Sequence, residues 1–307
     1  MEILGFHSPW HWIGFLCVVL TLLFLDLGIF HRKTHTVKWR EALVWSIVWI
    51  SLSLIFNGVI YWAWGAQSAL EFFTGYLIEK SLSVDNIFVM MVIFHTFHLP
   101  SHLQHRVLFW GIFGAFVMRL IFILAGAALV LQFHWILHIF GLILIVSSIK
   151  LIKDRNKVPE PEKNLIVRAF QRYFPLVREY HDKKFTIKKD GRRYATMLFL
   201  VLLTIEATDI LFAVDSVPAI FAVTKDPFII FTSNVFAILG LRSLYFLIAD
   251  FIERLKYLKI GLALVLFFVG VKILLEGFYD ISIAISLAVI ALVLLGSILA
   301  SWWAQEN

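Results

Sequence analysis

Apolar positions in this chain run in long, unbroken stretches rather than alternating or marking one face of a helix. Nine such stretches fall at about 9–30, 41–64, 69–94, 106–131, 134–152, 195–223, 228–250, 258–277 and 281–303. A helix needs about 20 mostly apolar residues to cross a bilayer core. Lipid offers no partner to open backbone, so a lone stretch of this kind must close its hydrogen bonds as a helix. The pattern predicts an all-α polytopic membrane protein of about nine transmembrane helices. The first stretch is too long, and begins too late, for a cleaved signal peptide. It also lacks a basic leading region and an Ala-x-Ala site, so it reads as a retained helix.

Composition agrees. The 307 residues are 61% hydrophobic and 16% charged, against about 45–50% apolar and about 25% charged in soluble domains. A soluble globular enzyme and a disordered chain are excluded. Cys17 is the single cysteine, so there is no disulfide framework and no cysteine-based metal cluster. Neither an HExxH nor a GxSxG motif is present, and the reading is of a protein that is not an enzyme.

Loop charges orient the spans. Arg32, Lys33, Lys38, Arg40, Arg106, Arg254, Lys256 and Lys259 all fall on one side, together with the large segment 154–193; Lys225 alone falls on the other. The positive-inside rule makes the basic side cytoplasmic. The N-terminus is then outside and the C-terminus inside. Segment 154–193 carries twelve Lys/Arg against six acids, and that surplus equals the +6 of the whole chain. It reads as a topology anchor beside anionic lipid rather than a nucleic-acid surface. Within it, Leu165, Ile166, Ala169, Phe170, Tyr173 and Phe174 recur at helical spacing, as in a short amphipathic helix on the inner leaflet bracketed by Pro159, Pro161 and Pro175.

Charges also sit inside the apolar spans. The third span holds Glu79, Lys80 and Asp85, and the sixth holds Glu206, Asp209 and Asp215. At about 2.5–3.5 kcal/mol each, five independent acids would cost on the order of 12–17 kcal/mol. They must be paired, protonated, hydrated or bound to a cation. Arg119, Lys150, Arg242 and Lys272 in other spans are candidate charge-compensating partners.

The charged spans repeat. SLSVDNIF (81–88) aligns with LFAVDSVP (211–218), setting Asp85 on Asp215 and Asn86 on Ser216. Another acid, Glu79 or Asp209, stands six residues before each aspartate. An Arg span and then a Lys span follow in both copies. Each unit has three spans, so the second copy is inverted, an arrangement typical of secondary transporters. The implied organisation is a two-helix segment 1–66, a first repeat 67–153, the basic segment 154–193, an inverted repeat 194–278 and a last helix 279–307.

Acids six apart on a regular helix point about 120° away from each other. Either they mark successive stations on a path, or each acidic helix breaks near its aspartate; Pro218 favours a break near Asp215. Carboxylates with Asn86 and Ser216 in support make a hard-oxygen set suited to Mg, Ca or Mn, and a proton relay fits the same residues. His95, His98, His102 and His105 crowd one connection and read as a solvated loop interrupted by Pro100. Asp26 reads as pairing with the bases just after it, while Glu71 and Glu276, near outer ends, admit either cation attraction or simple snorkelling.

The strings IEKSLSVDNIFV (78–89), IEATDILFAVDSVPAIFAVT (205–224) and DPFIIFTSNVFAILGLRSLYFL (226–247) resemble the TerC family of bacterial membrane proteins, in its Alx-like branch, over nearly the whole chain. One departure is Met197, where the family pattern usually has Pro after the threonine. The resemblance implies a metal-ion transporter, with Mn²⁺ efflux its best-supported activity and no resident cofactor. It also implies that Glu79, Asp85, Glu206, Asp209 and Asp215 serve the ion. A membrane scaffold in tellurite-type stress resistance, and an exporter of small organic cations or amino acids, are the alternatives.

Overall fold

The computed structural model describes residues 8–28, 39–133, 135–154, 165–177, 179–189, 191–248, 257–276, 278–279 and 281–306; for 24–28, 165, 305 and 306 the description covers the backbone. The Asp26 side chain, the bases of 31–38, His134, Pro159, Pro161, Arg254 and Lys256 lie outside it. The helices are α1 (Pro9–Gly28), α2 (Trp39–Thr96), α3 (Ser101–Gln132), α4 (Ile136–Lys153), α5 (Leu165–Tyr173), α6 (Met197–Phe221), α7 (Pro227–Ile238), α8 (Leu241–Ile248), α9 (Leu258–Leu275) and α10 (Ile283–Glu306). Three short strands, β1 (Leu176–Val177), β2 (Thr186–Lys189) and β3 (Arg192–Thr196), lie between α5 and α6.

Six helices (α2, α3, α4, α6, α9 and α10) are long and apolar enough to cross a membrane, and α7 with α8 makes a seventh if that pair, bent by 41°, is one broken span. The nine stretches in the sequence go further than this for two reasons. In α1 the residues described with their side chains, Pro9–Leu23, are fewer than a crossing needs. The second and third stretches fall in one 58-residue helical run, α2, whose only non-helical residue is Gly65 at φ 89° and ψ 178°. Only glycine adopts that backbone at little cost.

Helices α4 and α9 pack along each other, α2 packs on α7 and α3 on α6. The α4–α9 crossing depends on two glycines. A Cβ at Gly141 would lie 2.9 Å from the Gly270 carbonyl oxygen, and one at Gly270 would lie 2.8 Å from that of Gly141. Small residues allow such approach where no hydrophobic force between helices exists. The core is built from Phe72, Phe231, Phe221, Ile87 and Ile123, while apolar side chains such as Leu292 and Leu299 stand exposed on the periphery, as lipid contact requires.

The basic segment contains more than the amphipathic helix. Strand β3 pairs with β1 in parallel and with β2 antiparallel. The sequence reading missed this sheet, although Asp190-Gly191 between β2 and β3 is a hairpin signal, with Gly191 at φ 77°. Helix α5 ends just before Pro175, as expected, but its apolar face is divided. Val167 is buried and Phe170 meets Phe199 of α6, while Ile166, Tyr173 and Phe174 are exposed. Tyr180 ties the sheet to the end of α2 by donating its hydroxyl to the Phe97 carbonyl at 2.7 Å, and burial pushes its pKa up to about 12. The Met197 amide donates to the Glu179 carbonyl at 3.4 Å, a bond that proline at this position cannot make.

Candidate ion site

The acidic helices are continuous through their acids. Helix α6 runs unbroken past Pro218, and α2 is helical from Ala66 to Thr96. A break at Asp215 is therefore not found, and the two acids of each helix point in different directions. A break in the helix occurs instead between α7 and α8, where Gly240 takes φ 78°. A Cβ there would lie 2.7 Å from the Trp49 side chain, so backbone and packing both require glycine. The break frees carbonyls, and Lys80 serves them: its Nζ donates to Ala237 O at 3.1 Å and to Leu239 O at 3.5 Å. Lys80 thus caps a helix inside the bundle, a role that proximity to Glu79 in the sequence did not suggest.

Glu79 and Asp209, each six residues before the aspartate of its helix, converge on Arg119 of α3. The Arg119 guanidinium donates to Glu79 and forms an ion pair with it. It also donates to Asn234 Oδ1 at 2.9 Å and to Ser216 Oγ at 3.3 Å, and lies 3.9 Å from Asp209 Oδ1. Asn234 of α7 completes the ring by donating its amide to Glu79 Oε2 at 3.2 Å. Glu79 and Asn234 are fully buried, and Arg119 is 1% exposed. Asp209 Oδ2 is buried without a hydrogen-bond partner. Asn234 was not among the residues expected from the sequence; its signal was its place in the SNVFAILGLR string.

A cavity of about 590 Å³ adjoins this cluster on the side of the basic segment. Glu79, Arg119 and Ser216 form its floor; Asp85, Asn86 and Asp215 line it, with Ser147, Lys150 and Asp154 from the end of α4. Ser147 Oγ donates to Asp215 Oδ1 at 2.5 Å. Asp85 lies 4.0 Å from Lys259 Nζ, and that ammonium also sits 4.0 Å over the Phe88 ring. The sequence counted Lys259 as a loop charge; here it partners an acid in a span. Of the expected site residues, Glu79, Asp85, Asn86, Arg119, Lys150, Asp215 and Ser216 are gathered on one cavity, and Asp209 lies behind its floor.

Three expected residues are elsewhere. The Glu206 carboxylate lies against α3, where a Cβ on Gly114 would come within about 2 Å of it. Arg242 is buried at the start of α8. Lys272 lines a second cavity of about 300 Å³ at the opposite end of the bundle, with Glu71, Thr224, Lys225 and Glu276. There Glu71 Oε2 accepts from Thr224 at 2.6 Å and Lys225 pairs with Glu276 at 2.5 Å. The Lys225–Glu276 pair is exposed, so Glu276 also reaches water. In the histidine connection, the rings of His95 and His98 are 6.2 Å apart and His105 packs on Phe246. Among the described residues, no three His, Cys, Asp or Glu side chains are grouped as a metal site.

Comparison with known proteins adds the family. A family model described as "Integral membrane protein TerC family" matches residues 64–307. The chain belongs to the TerC family. The match begins beside the Gly65 break and takes in every residue of the cavity and its floor. Within the family, an uncharacterized membrane protein of Myxococcus xanthus is 51% identical over 294 residues, covering 96% of this chain and 92% of the relative. Alx of Escherichia coli strain K12, named as a candidate membrane-bound redox modulator, is 44% identical over 305 residues, covering 96% and 95%. A Rickettsia bellii membrane protein is 41% identical over 290 residues, covering 94% and 96%. No solved structure matches.

Proposed function

We propose that this TerC-family protein exports a divalent metal ion, Mn²⁺ foremost, by alternating access through the carboxylate-lined centre of the bundle. The observation that carries the reading is the 590 Å³ cavity, which unites acids of both copies, Asp85 and Asp215, over a floor holding Glu79. Intramembrane acids facing a cavity mark ion pathways, and hard oxygen donors suit Mn²⁺ over softer metals. The acids are arranged in pairs along a route rather than as one tight cage. A transported ion needs sites that it can leave as well as enter.

The reading includes nine spans, with Gly65 turning the chain back between two halves of α2. A straight helix of 58 residues would be about 87 Å long, far beyond a bilayer. It also includes two inverted units, 67–153 and 194–278. Reciprocal packing supports them: α2 on α7 and α3 on α6 exchange roles, and Gly141 meets Gly270 at the crossing of α4 with α9. Loop charge supports a bacterial inner-membrane location with the large cavity facing the cytoplasm, the N-terminus outside and anionic lipid beside the basic segment. The 300 Å³ cavity is then the exit side. Protons are the coupling candidates, since the acids need a counter-charge on the return.

Proteoliposomes containing the purified protein should show flux of Mn²⁺ above Mg²⁺, Ca²⁺ and Zn²⁺. Asp85→Asn and Asp215→Ala should abolish that flux, and cellular manganese tolerance with it, while leaving folded protein. Normal manganese handling in both variants overturns the reading. The exposed aromatics of α5 and the basic sheet favour a second reading, a scaffold, which predicts no flux from the intact protein.

A further inference from the structure

The seat deepest in the bundle is already filled by a positive charge of the protein itself. Arg119 comes from α3, while the groups around it come from three other helices: Glu79 from α2, Asp209 and Ser216 from α6, and Asn234 from α7. Every one of these contacts is an oxygen facing a cation. Two are carboxylates, set against one guanidinium. The fit is incomplete, because Asp209 stands at 3.9 Å and its Oδ2 is buried without a partner. A small void of about 10 Å³, bordered by Asn86, Thr208 and Asp209, lies behind it. On the other side, Glu79, Arg119 and Ser216 form the floor of the open cavity. The guanidinium therefore lies between the cavity and the deepest acid.

We infer that Arg119 is a tethered stand-in for the transported cation, holding the Glu79–Asp209 seat when the ion is absent and swinging out when the ion takes it. This rests on the transport reading above. A purely structural ion pair would satisfy both carboxylates, because an unmet buried acceptor costs free energy. Here the oxygen set suits a more compact, more highly charged guest better than it suits the planar fork. A divalent ion has twice the attraction of Arg119 for the two acids, whereas a monovalent ion has none to spare. Arg119 thereby selects for charge as well as closing the empty seat.

The test uses full-length protein in detergent, titrated with Mn²⁺ by calorimetry and followed by thermal melting. Arg119→Gln keeps the bulk of the side chain and removes its charge. It should bind Mn²⁺ at least about tenfold more tightly than the parent, the scale of one opposing charge removed from the seat. Its flux in proteoliposomes should fall, because the ion is no longer expelled. Unchanged or weaker binding in folded Arg119→Gln overturns the inference. If Arg119→Gln does not fold, Arg119→Met likewise removes the charge while keeping an unbranched chain. It should bind Mn²⁺ more tightly than the parent, and equal or weaker binding overturns the inference. In Arg119→Ala, free guanidinium at sub-denaturing concentration should compete with Mn²⁺, an effect that a structural role would not produce. Parent protein with no Mn²⁺ binding or flux removes the transport reading and this inference together. Parent flux without a gain in affinity in the variants removes this inference alone.

Discussion

The two pairs of acids contributed by the repeated helices are spaced identically in sequence and treated oppositely in space. Glu79 and Asp209 turn inward onto one arginine, with Asn234 and Ser216 completing the ring. Asp85 and Asp215, six residues later, face a cavity, Asp85 near the Lys259 ammonium and Asp215 near the Ser147 hydroxyl and Lys150. The difference follows from the helix: six residues rotate a side chain by about 120° and lift it by about 9 Å. One pair is thus locked and the other is available. On the transport reading the two pairs divide the work: the open pair meets an ion entering the cavity, and the pair held by Arg119 is neutralised while no ion is bound.

The largest effect should come from breaking the locked pair. Glu79→Ala strands the Arg119 guanidinium in the core and should destabilise the folded protein by about 3–5 kcal/mol. The same truncation at Asp215, on the cavity, should shift the thermal melt far less. Equal losses at the two sites would erase the distinction between locked and available pairs. Next comes Lys80, which holds the α7–α8 break that presents Asn234 to the locked pair. Lys80→Met leaves two freed carbonyls unserved and should cost about 1–3 kcal/mol, with a parallel loss of Mn²⁺ flux. A melt unchanged from the parent would remove Lys80 from the account.

The smallest effect tests the frame around α2. Tyr180→Phe removes the bond to Phe97 and should cost about 1 kcal/mol. It should also change the alkaline limb. Burial holds the Tyr180 pKa near about 12, against about 10 in an unfolded chain. Its contribution is therefore complete below pH about 10 and lost as pH rises toward about 12. The parent melt should fall more steeply than that of Tyr180→Phe across this window. Parallel slopes would show that the hydroxyl is not held as described.

Much of this was legible in the sequence for a simple reason. A bilayer permits few structures, so apolar runs declare helices, and charge inside such a run must have a purpose. The multi-span membrane class, the short helix ending at Pro175 and the acids on the third and sixth spans followed from that constraint, and the TerC strings named the family. The sheet of the basic segment was not read, because short strands in a charged stretch have no long apolar pattern to announce them. Gly65 and Gly240 were passed over because a lone glycine in an apolar run is often merely tolerated.

Partner choice was beyond the sequence altogether. Four bases were candidates to neutralise five acids, and nothing in one dimension says that Arg119 meets Glu79 and Asp209 while Lys259 meets Asp85 and Lys272 serves another cavity. Periodicity sets the direction of a side chain relative to its own helix. Only the packing of the helices decides which direction faces which, because ion pairing depends on distances of a few ångströms between residues as far apart in sequence as Asp85 and Lys259.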